Sequence, residues 1–265
     1  MKILPLLKRF KKITVGLYKD LHKYFIILPP GLMVLQDSNE AWYLRDNIIM
    51  HALGAINGEF YTNSKEALEY YIAKGKTLFE CDVTLTQDGI PVLTHNAIQT
   101  DLAGFKNTLG KFTVLTLNDL VEYIQKNKNL YFILDIKDNY YREICSYLVN
   151  TTSKDILKHF IIQAGTITAV KTIRKIFDFQ IHWNFSVDGN LNRLLAFVIK
   201  NNIHTCSVAY KSIKNNKTLK YINKYNLKTF AYTVNNTELA TQLINKGCYG
   251  IMSDELLKLA GEDHV

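Results

Sequence analysis

Residues Met50 to Asn96 read MHALGAINGEFYTNSKEALEYYIAKGKTLFECDVTLTQDGIPVLTHN. An apolar run ends at His51, and amphipathic spacing over Ser64–Lys74 predicts a helix. The apolar stretch Thr77–Thr86 then predicts a strand, and Asp88-Gly89 turns the chain back as a hairpin. Strand, helix, strand in this order implies parallel pairing through a right-handed crossover. The same alternation continues outward. With Ile48–Leu53 and Thr77–Thr86 counted, further strands are expected at Leu130–Ile136, Phe160–Gln163, Gln180–Phe185, Thr205–Ala209, Lys228–Val234 and Gly250–Ser253. Helical patterns intervene at Leu117–Lys126, Tyr140–Asn150, Ala169–Phe177, Asn190–Lys200, Ser212–Tyr225 and Glu238–Lys246. This is the pattern of an α/β protein, a (β/α)8 TIM barrel, and a chain of 265 residues suits one such domain. Ala97–Val114 reads as a loop, which would leave the barrel mouth open.

A barrel of this kind carries its chemistry at the C-terminal ends of its strands. His51 falls at the end of the first strand, Glu80 and Asp82 lie on the second, and His95 follows the hairpin. Asp135 and Lys137 close the third strand, and Gln163 at the end of the fourth is a further polar contact. Glu80 and Asp82 are two residues apart, so both point to one side of their strand. Flanking Phe79, Cys81, Val83 and Leu85 make that strand apolar, so inward carboxylates there need a partner. A divalent cation bound by Glu80, Asp82 and Asp135 meets that need, and oxygen donors favour magnesium, calcium or manganese over zinc. Any one of these residues alone has a dull explanation: a histidine at a strand end, or an Asp–Lys pair on a rim. Two imidazoles beside two carboxylates are what metal-assisted phosphodiester cleavage requires, one imidazole taking a proton and the other giving one.

Bulk composition sets the outer limits. Hydrophobic residues make up 48% and aromatics 12% of the chain, which excludes a disordered protein. A net charge of +8 suits anionic partners such as a small-molecule or lipid phosphodiester. No basic and aromatic motif of a nucleic-acid module is apparent, so no nucleic acid is expected as partner. Cys81, Cys145, Cys206 and Cys248 stand singly with no zinc or redox spacing, which favours a reducing, cytoplasmic compartment. Residues 1–47 read as a separate basic, helical extension ahead of a domain over 48–265. Leu6, Phe10, Ile13, Leu17 and Leu21 recur at helical steps among seven basic residues and a single Asp20. That helix either packs against the barrel bottom or lies through residues 1–28 as a peripheral contact on an anionic inner-membrane surface. The apolar run Tyr24–Leu35 is broken by Pro29-Pro30 and is too short to span a bilayer.

The ordered motifs resemble the glycerophosphodiester phosphodiesterase family, whose pattern is His-Arg-Gly, Pro-Glu-Asn-Thr, Glu-x-Asp, then His-Asp after an Asp-Gly hairpin. His51, Asn63, Glu80, Asp82, Asp88-Gly89 and His95 match it. Leu134-Asp135-Ile136-Lys137, Tyr232-Thr233-Val234-Asn235 and the run Gly247 to Asp254 resemble the family's later motifs, so the likeness spans roughly residues 48 to 260. Thr62 stands in place of a glutamate and Ala52 in place of an arginine, a form that resembles a variant bacterial branch. The resemblance implies that His95 protonates the leaving group and His51 acts on the attacking side. It also implies that Tyr232, where the family has tryptophan, lines the pocket for an alcohol moiety. Asn235 and Asp254 match the pattern but read as caps of following helices. Two rival readings stay open: a lipid-directed phospholipase of the sphingomyelinase D or phosphatidylinositol phospholipase C type, and a catalytically silent barrel that binds a phosphodiester.

Overall fold

The computed structural model describes residues 34–38, 41–108, 110–185, 191–213 and 216–257. Among the described residues the strands are β1 (Ile48–Met50), β2 (Leu78–Leu85), β3 (Pro91–Leu93), β4 (Tyr131–Ile136), β5 (Phe160–Ala164), β6 (Gln180–Phe185), β7 (Thr205–Ala209), β8 (Lys228–Tyr232) and β9 (Gly250–Ser253). Eight of them pair in parallel in the order β1-β9-β8-β7-β6-β5-β4-β2, and Met50 opposite Phe79 closes the ring between β1 and β2. The expected (β/α)8 TIM barrel is therefore observed. β3 lies outside the ring, antiparallel to the upper part of β2, with Val83 opposite Leu93 and Leu85 opposite Pro91.

That extra strand has a local cause. β1 stops at Met50, three residues before the expected end, because Ala52 (φ 48°) and Leu53 (φ 66°) turn into the left-handed region. The upper half of β2 is thus left without a barrel neighbour on that side, and the hairpin from Asp88-Gly89 takes the place. Gly54 continues the turn at φ 96°, and a Cβ there would lie 2.1 Å from the Tyr71 ring. Gly54→Ala is therefore expected to cost roughly 2–4 kcal/mol in urea unfolding, from left-handed strain plus the clash. An unchanged midpoint would show that this turn tolerates a side chain.

The helices are α1 (Lys65–Ala73), α2 (Leu102–Thr108), α3 (Leu117–Lys126), α4 (Tyr141–Thr151), α5 (Lys154–Leu157), α6 (Ile167–Arg174), α7 (Leu191–Lys200), α8 (Asn216–Asn223) and α9 (Thr237–Asn245). Side-chain caps start several of them: Ser64 accepts from Ala67 N, Thr166 from Ala169 N, and Thr116 forms a reciprocal box with Asp119. The segment Ala97–Val114, expected as a loop, is not all loop, because α2 forms inside it. Phe105 of α2 packs with Val92 and Val114 as a small separate core against β3. None of the helices, among the described residues, is long and apolar enough to cross a membrane.

Two apolar layers hold the barrel. The larger lies between strands and helices and includes Phe132, Phe160, Trp183, Leu195 and all four cysteines. The smaller fills the barrel interior with Ile49, Leu78, Ile133, Ile161, Phe230 and Met252. From below, the short turn Trp42–Leu44 plugs this interior: Trp42 is 2% exposed and stacks on Phe230 at 6.4 Å. Tyr43 donates to Asp37 at 2.8 Å, and Lys228 pairs with the same carboxylate at 2.9 Å. The basic amphipathic stretch, with the membrane contact expected through residues 1–28, lies outside the described residues. The four cysteines are all buried and none is in a disulfide.

Candidate active site

Period two along the strands decides what enters the barrel. On β2 the inward face reads Leu78, Glu80, Asp82, and on β4 it reads Tyr131, Ile133, Asp135. Each strand thus passes from apolar to acidic as it climbs, and the register sets Asp82 beside Asp135. β5, β6, β7 and β8 follow suit, ending inward on Gln163, Asn184, Ser207 and Tyr232. The result is a cavity of about 200 Å³ over the apolar plug, at the C-terminal ends of the strands. His51, Glu80, Asp82, His95, Asp135, Lys137, Gln163 and Tyr232 all line it. These eight site residues read from the sequence therefore meet in one place. A larger cavity of about 410 Å³ sits at the opposite end, around Trp42, Arg45, Arg174 and His204. It carries no carboxylate cluster and lies at the end where such barrels keep their structural face, so size does not identify the site.

The acidic group is compact. Glu80, Asp82 and Asp135 each offer an oxygen within 4.8 Å of the others. Glu80 and Asp82 are both 2% exposed. Glu80 accepts the Ala52 backbone N–H at 2.9 Å, which the left-handed turn aims at it. Asn63 clamps Asp82 from both sides: its Nδ2 donates to Oδ2 at 2.9 Å, and its Oδ1 accepts the Asp82 N–H at 3.0 Å. Lys137 lies 2.6 Å from Asp82 and 2.5 Å from Asp135, so the Asp–Lys pair is part of the carboxylate cluster and not an isolated rim contact. Burial, and after it the Asp82 charge, pushes Glu80 up to about 8. Three carboxylates, two of them buried, fit a hard divalent cation, and a single ammonium shared by Asp82 and Asp135 leaves the group room for more positive charge.

The imidazoles stand on different parts of the frame. His51 follows β1 in the ring, while His95 follows β3 on the hairpin. His51 Nδ1 meets Asp254 Oδ1 at 2.6 Å, and its Nε2 is 3.9 Å from Glu80. Burial opposes a charge on His51, but the Asp254 hydrogen bond and the Glu80, Asp254 and Asp82 charges outweigh it and raise the ring to about 9. Glu80 and His51 are therefore both pushed toward their protonated forms near neutral pH, and each titrates in the field of the other. Tyr61 sits between the two rings, edge-on to His51 at 5.0 Å and to His95 at 5.5 Å.

Several contributors escaped the sequence reading, Asn184 and Ser207 on the cavity wall among them. Asp254 and Asn235 are not helix caps. Asn236 caps α9, and Asn235 instead donates to Asp254 at 2.7 Å and accepts from Ser253 and the Asp254 N–H. Asp254 is thereby fixed as the residue that orients His51. Tyr61 gave no signal at all, being one aromatic in a loop of positive φ. Thr62, in turn, does not face the cavity; its hydroxyl pairs with Ser64 at 3.0 Å at the start of α1.

Fold and site together define a (β/α)8 barrel with an acidic, histidine-flanked cavity at its C-terminal mouth. A phosphodiesterase from Oleispira antarctica, solved with sn-glycerol-3-phosphate as product, superimposes with a TM-score of 0.65 at 19% identity, over 80% of this chain and 94% of that one. A glycerophosphodiester phosphodiesterase from Thermotoga maritima gives 0.65 at 18% identity, over 79% and 94%. One from Galdieria sulphuraria, named only as a candidate for that activity, gives 0.67 at 14% identity, over 78% and 93%. At such identities the likeness establishes the barrel fold. No protein-family model matches the chain, and no curated protein matches it.

Proposed function

We propose that the protein is a metal-dependent phosphodiesterase that cleaves glycerophosphodiesters or related small diesters to an alcohol and a phosphomonoester. The observation that carries this is the meeting of Glu80, Asp82 and Asp135 with His51 and His95 in one cavity. Likeness to barrels that bear this activity, one of them holding sn-glycerol-3-phosphate, supports the same reading. A cavity of about 200 Å³ suits a small diester, smaller than the pockets that enclose drug-sized ligands.

Glu80, Asp82 and Asp135 would hold the divalent cation, which supplies Lewis-acid polarisation of the phosphoryl oxygens. With Glu80 and Asp82 so engaged, fewer charges hold the His51 proton, and that ring can accept one from water or from a neighbouring substrate hydroxyl. The second route gives a cyclic phosphate. Asp254 keeps Nδ1 occupied, so the proton arrives at Nε2, the atom that faces Glu80 and the cavity. His95, on the other side of Tyr61, is placed to protonate the leaving oxygen. Lys137 adds charge compensation for the phosphate, and Gln163, Asn184, Ser207 and Tyr232 offer hydrogen bonds to the alcohol part.

The test is product release from glycerophosphocholine, glycerophosphoethanolamine, a lysophospholipid and an artificial aryl diester. Each is assayed with EDTA and then with magnesium, calcium or manganese restored. Cleavage that stops in EDTA and returns with one cation is the expected result, and turnover of the lysophospholipid alone would favour the lipid-directed reading. Silence across the panel in every metal would overturn the proposal in favour of a binding-only barrel.

A further inference from the structure

We infer that Lys137 is a displaceable counter-ion of the carboxylate cluster, which couples capture of the cation to arrival of the phosphodiester. The inference rests on the phosphodiesterase reading above and adds a regulation of that same site. Lys137 follows β4 directly, two residues after Asp135 and on the same side, and its Nζ bridges Asp82 Oδ1 at 2.6 Å and Asp135 Oδ2 at 2.5 Å. Two of the three carboxylates suited to a cation are therefore engaged by an ammonium. The third, Glu80, is held by the Ala52 N–H and not by Lys137.

A divalent ion among these oxygens brings a like charge to within a few ångströms of Nζ. Lys137 is partly buried and Asp82 fully so, and between such groups the repulsion is screened less than at an open surface. Asp82 and Asp135 are strand residues, and Asp82 is clamped by Asn63, so the carboxylates stay where they are. The lysine has four rotatable methylenes and can move its head while its backbone stays in the barrel. The space beside it is the cavity, whose far wall of Gln163, Asn184, Ser207 and Tyr232 bears no negative charge. Ser207 is 1% exposed, and its Oγ has no hydrogen-bond partner among the described residues, so the wall offers neutral hydrogen bonds and no ion pair. A displaced ammonium therefore gains an anionic partner only when a phosphate enters. Cation alone must break two ion pairs; cation with phosphate exchanges them for new ones. Positive coupling between the two ligands follows, and by linkage each raises the affinity of the other equally.

Isothermal titration calorimetry on the full chain, stripped with EDTA, tests this with magnesium, calcium and manganese chloride in turn. Each titration is run with and without sn-glycerol-3-phosphate, on wild type, Lys137→Met and Lys137→Gln, whose folding is checked by circular dichroism. Both substitutions are expected to tighten the best-bound cation about fivefold or more in the absence of the phosphomonoester. The gain in cation affinity that sn-glycerol-3-phosphate confers on wild type is expected to shrink by a similar factor in both. If wild type and both variants bind the cation equally, and gain equally from the phosphomonoester, Lys137 is no counter-ion and the metal site stands without it. If no cation binds any of the three proteins, the metal reading itself falls, and this inference with it.

Discussion

His51→Ala or His95→Ala is expected to lower turnover of any diester the protein cleaves by about two to four orders of magnitude, with the fold retained. The size of the effect follows from position. Both rings line the cavity that holds the carboxylates, and each packs against Tyr61. The fold should survive for different reasons in the two cases. His95 is exposed and stands at the end of the β3 hairpin, outside the ring of parallel strands. Loss of His51 leaves Asp254 still bonded through Asn235 Nδ2 and its own N–H, so no buried carboxylate is stranded without a donor. Asp254→Asn keeps that shape but removes the charge that orients and raises His51, and should give a smaller loss than either alanine. Steady-state rates beside thermal unfolding curves check all three. Wild-type rates in both histidine variants would sink the mechanism.

Stability of protein stripped with EDTA is expected to fall between pH 7 and 8.5, by roughly 4 °C or more in melting temperature. Glu80 is pushed up to about 8 from 4.5, and His51 to about 9 from 6.5, so the folded chain holds both protons more tightly than the unfolded one. For His51 the stabilisation is complete below 6.5 and is lost as pH rises through 9. For Glu80 the cost of a buried charge accrues from 4.5 upward and levels off past 8. Both slopes have the same sign. His182 is depressed to about 3 by burial and contributes in the opposite sense, but only at pH below its ordinary value of 6.5. The buried thiols, all raised above 9.0, take effect only at higher pH. The chosen window therefore isolates the site. Restoring a cation should flatten the slope, because a bound ion keeps the carboxylates ionised at no cost to folding. A melting temperature that stays level or rises across this window in EDTA would show that Glu80 and His51 do not hold their protons more tightly in the folded chain.

How far the sequence carried can be traced residue by residue. The barrel was legible because its strands are near-continuous apolar runs between amphipathic stretches, and burial on both faces demands that composition. Glu80 and Asp82 stood out because polar residues at period two interrupt such a run. Where local pattern ran out, so did the reading. The end of β1 was placed too late because nothing in Ala52-Leu53 marks a left-handed turn for residues with a Cβ. α2 was missed because seven residues containing Gly104 give a weak helical period. Asp254 and Asn235 were taken for caps because their partners lie 203 and 19 residues away, His51 for Asp254 and Asp254 for Asn235. Such pairings exist only once the ring has closed β9 against β1.

The four buried thiols turn the barrel into its own reporter of motion. Cys81 is on β2, Cys145 on α4, Cys206 on β7 and Cys248 just before β9, so they sample separate sectors of the ring, and each is inaccessible while its sector is shut. A small alkylating reagent can reach a given sulfur only during an opening event, at a rate proportional to the population of the open form. Mass-resolved labelling of the untouched wild-type chain would thus yield four local opening free energies from one sample. Cys81, between the two acidic residues of β2, would show directly whether occupancy of the mouth by a cation tightens the strand beneath it.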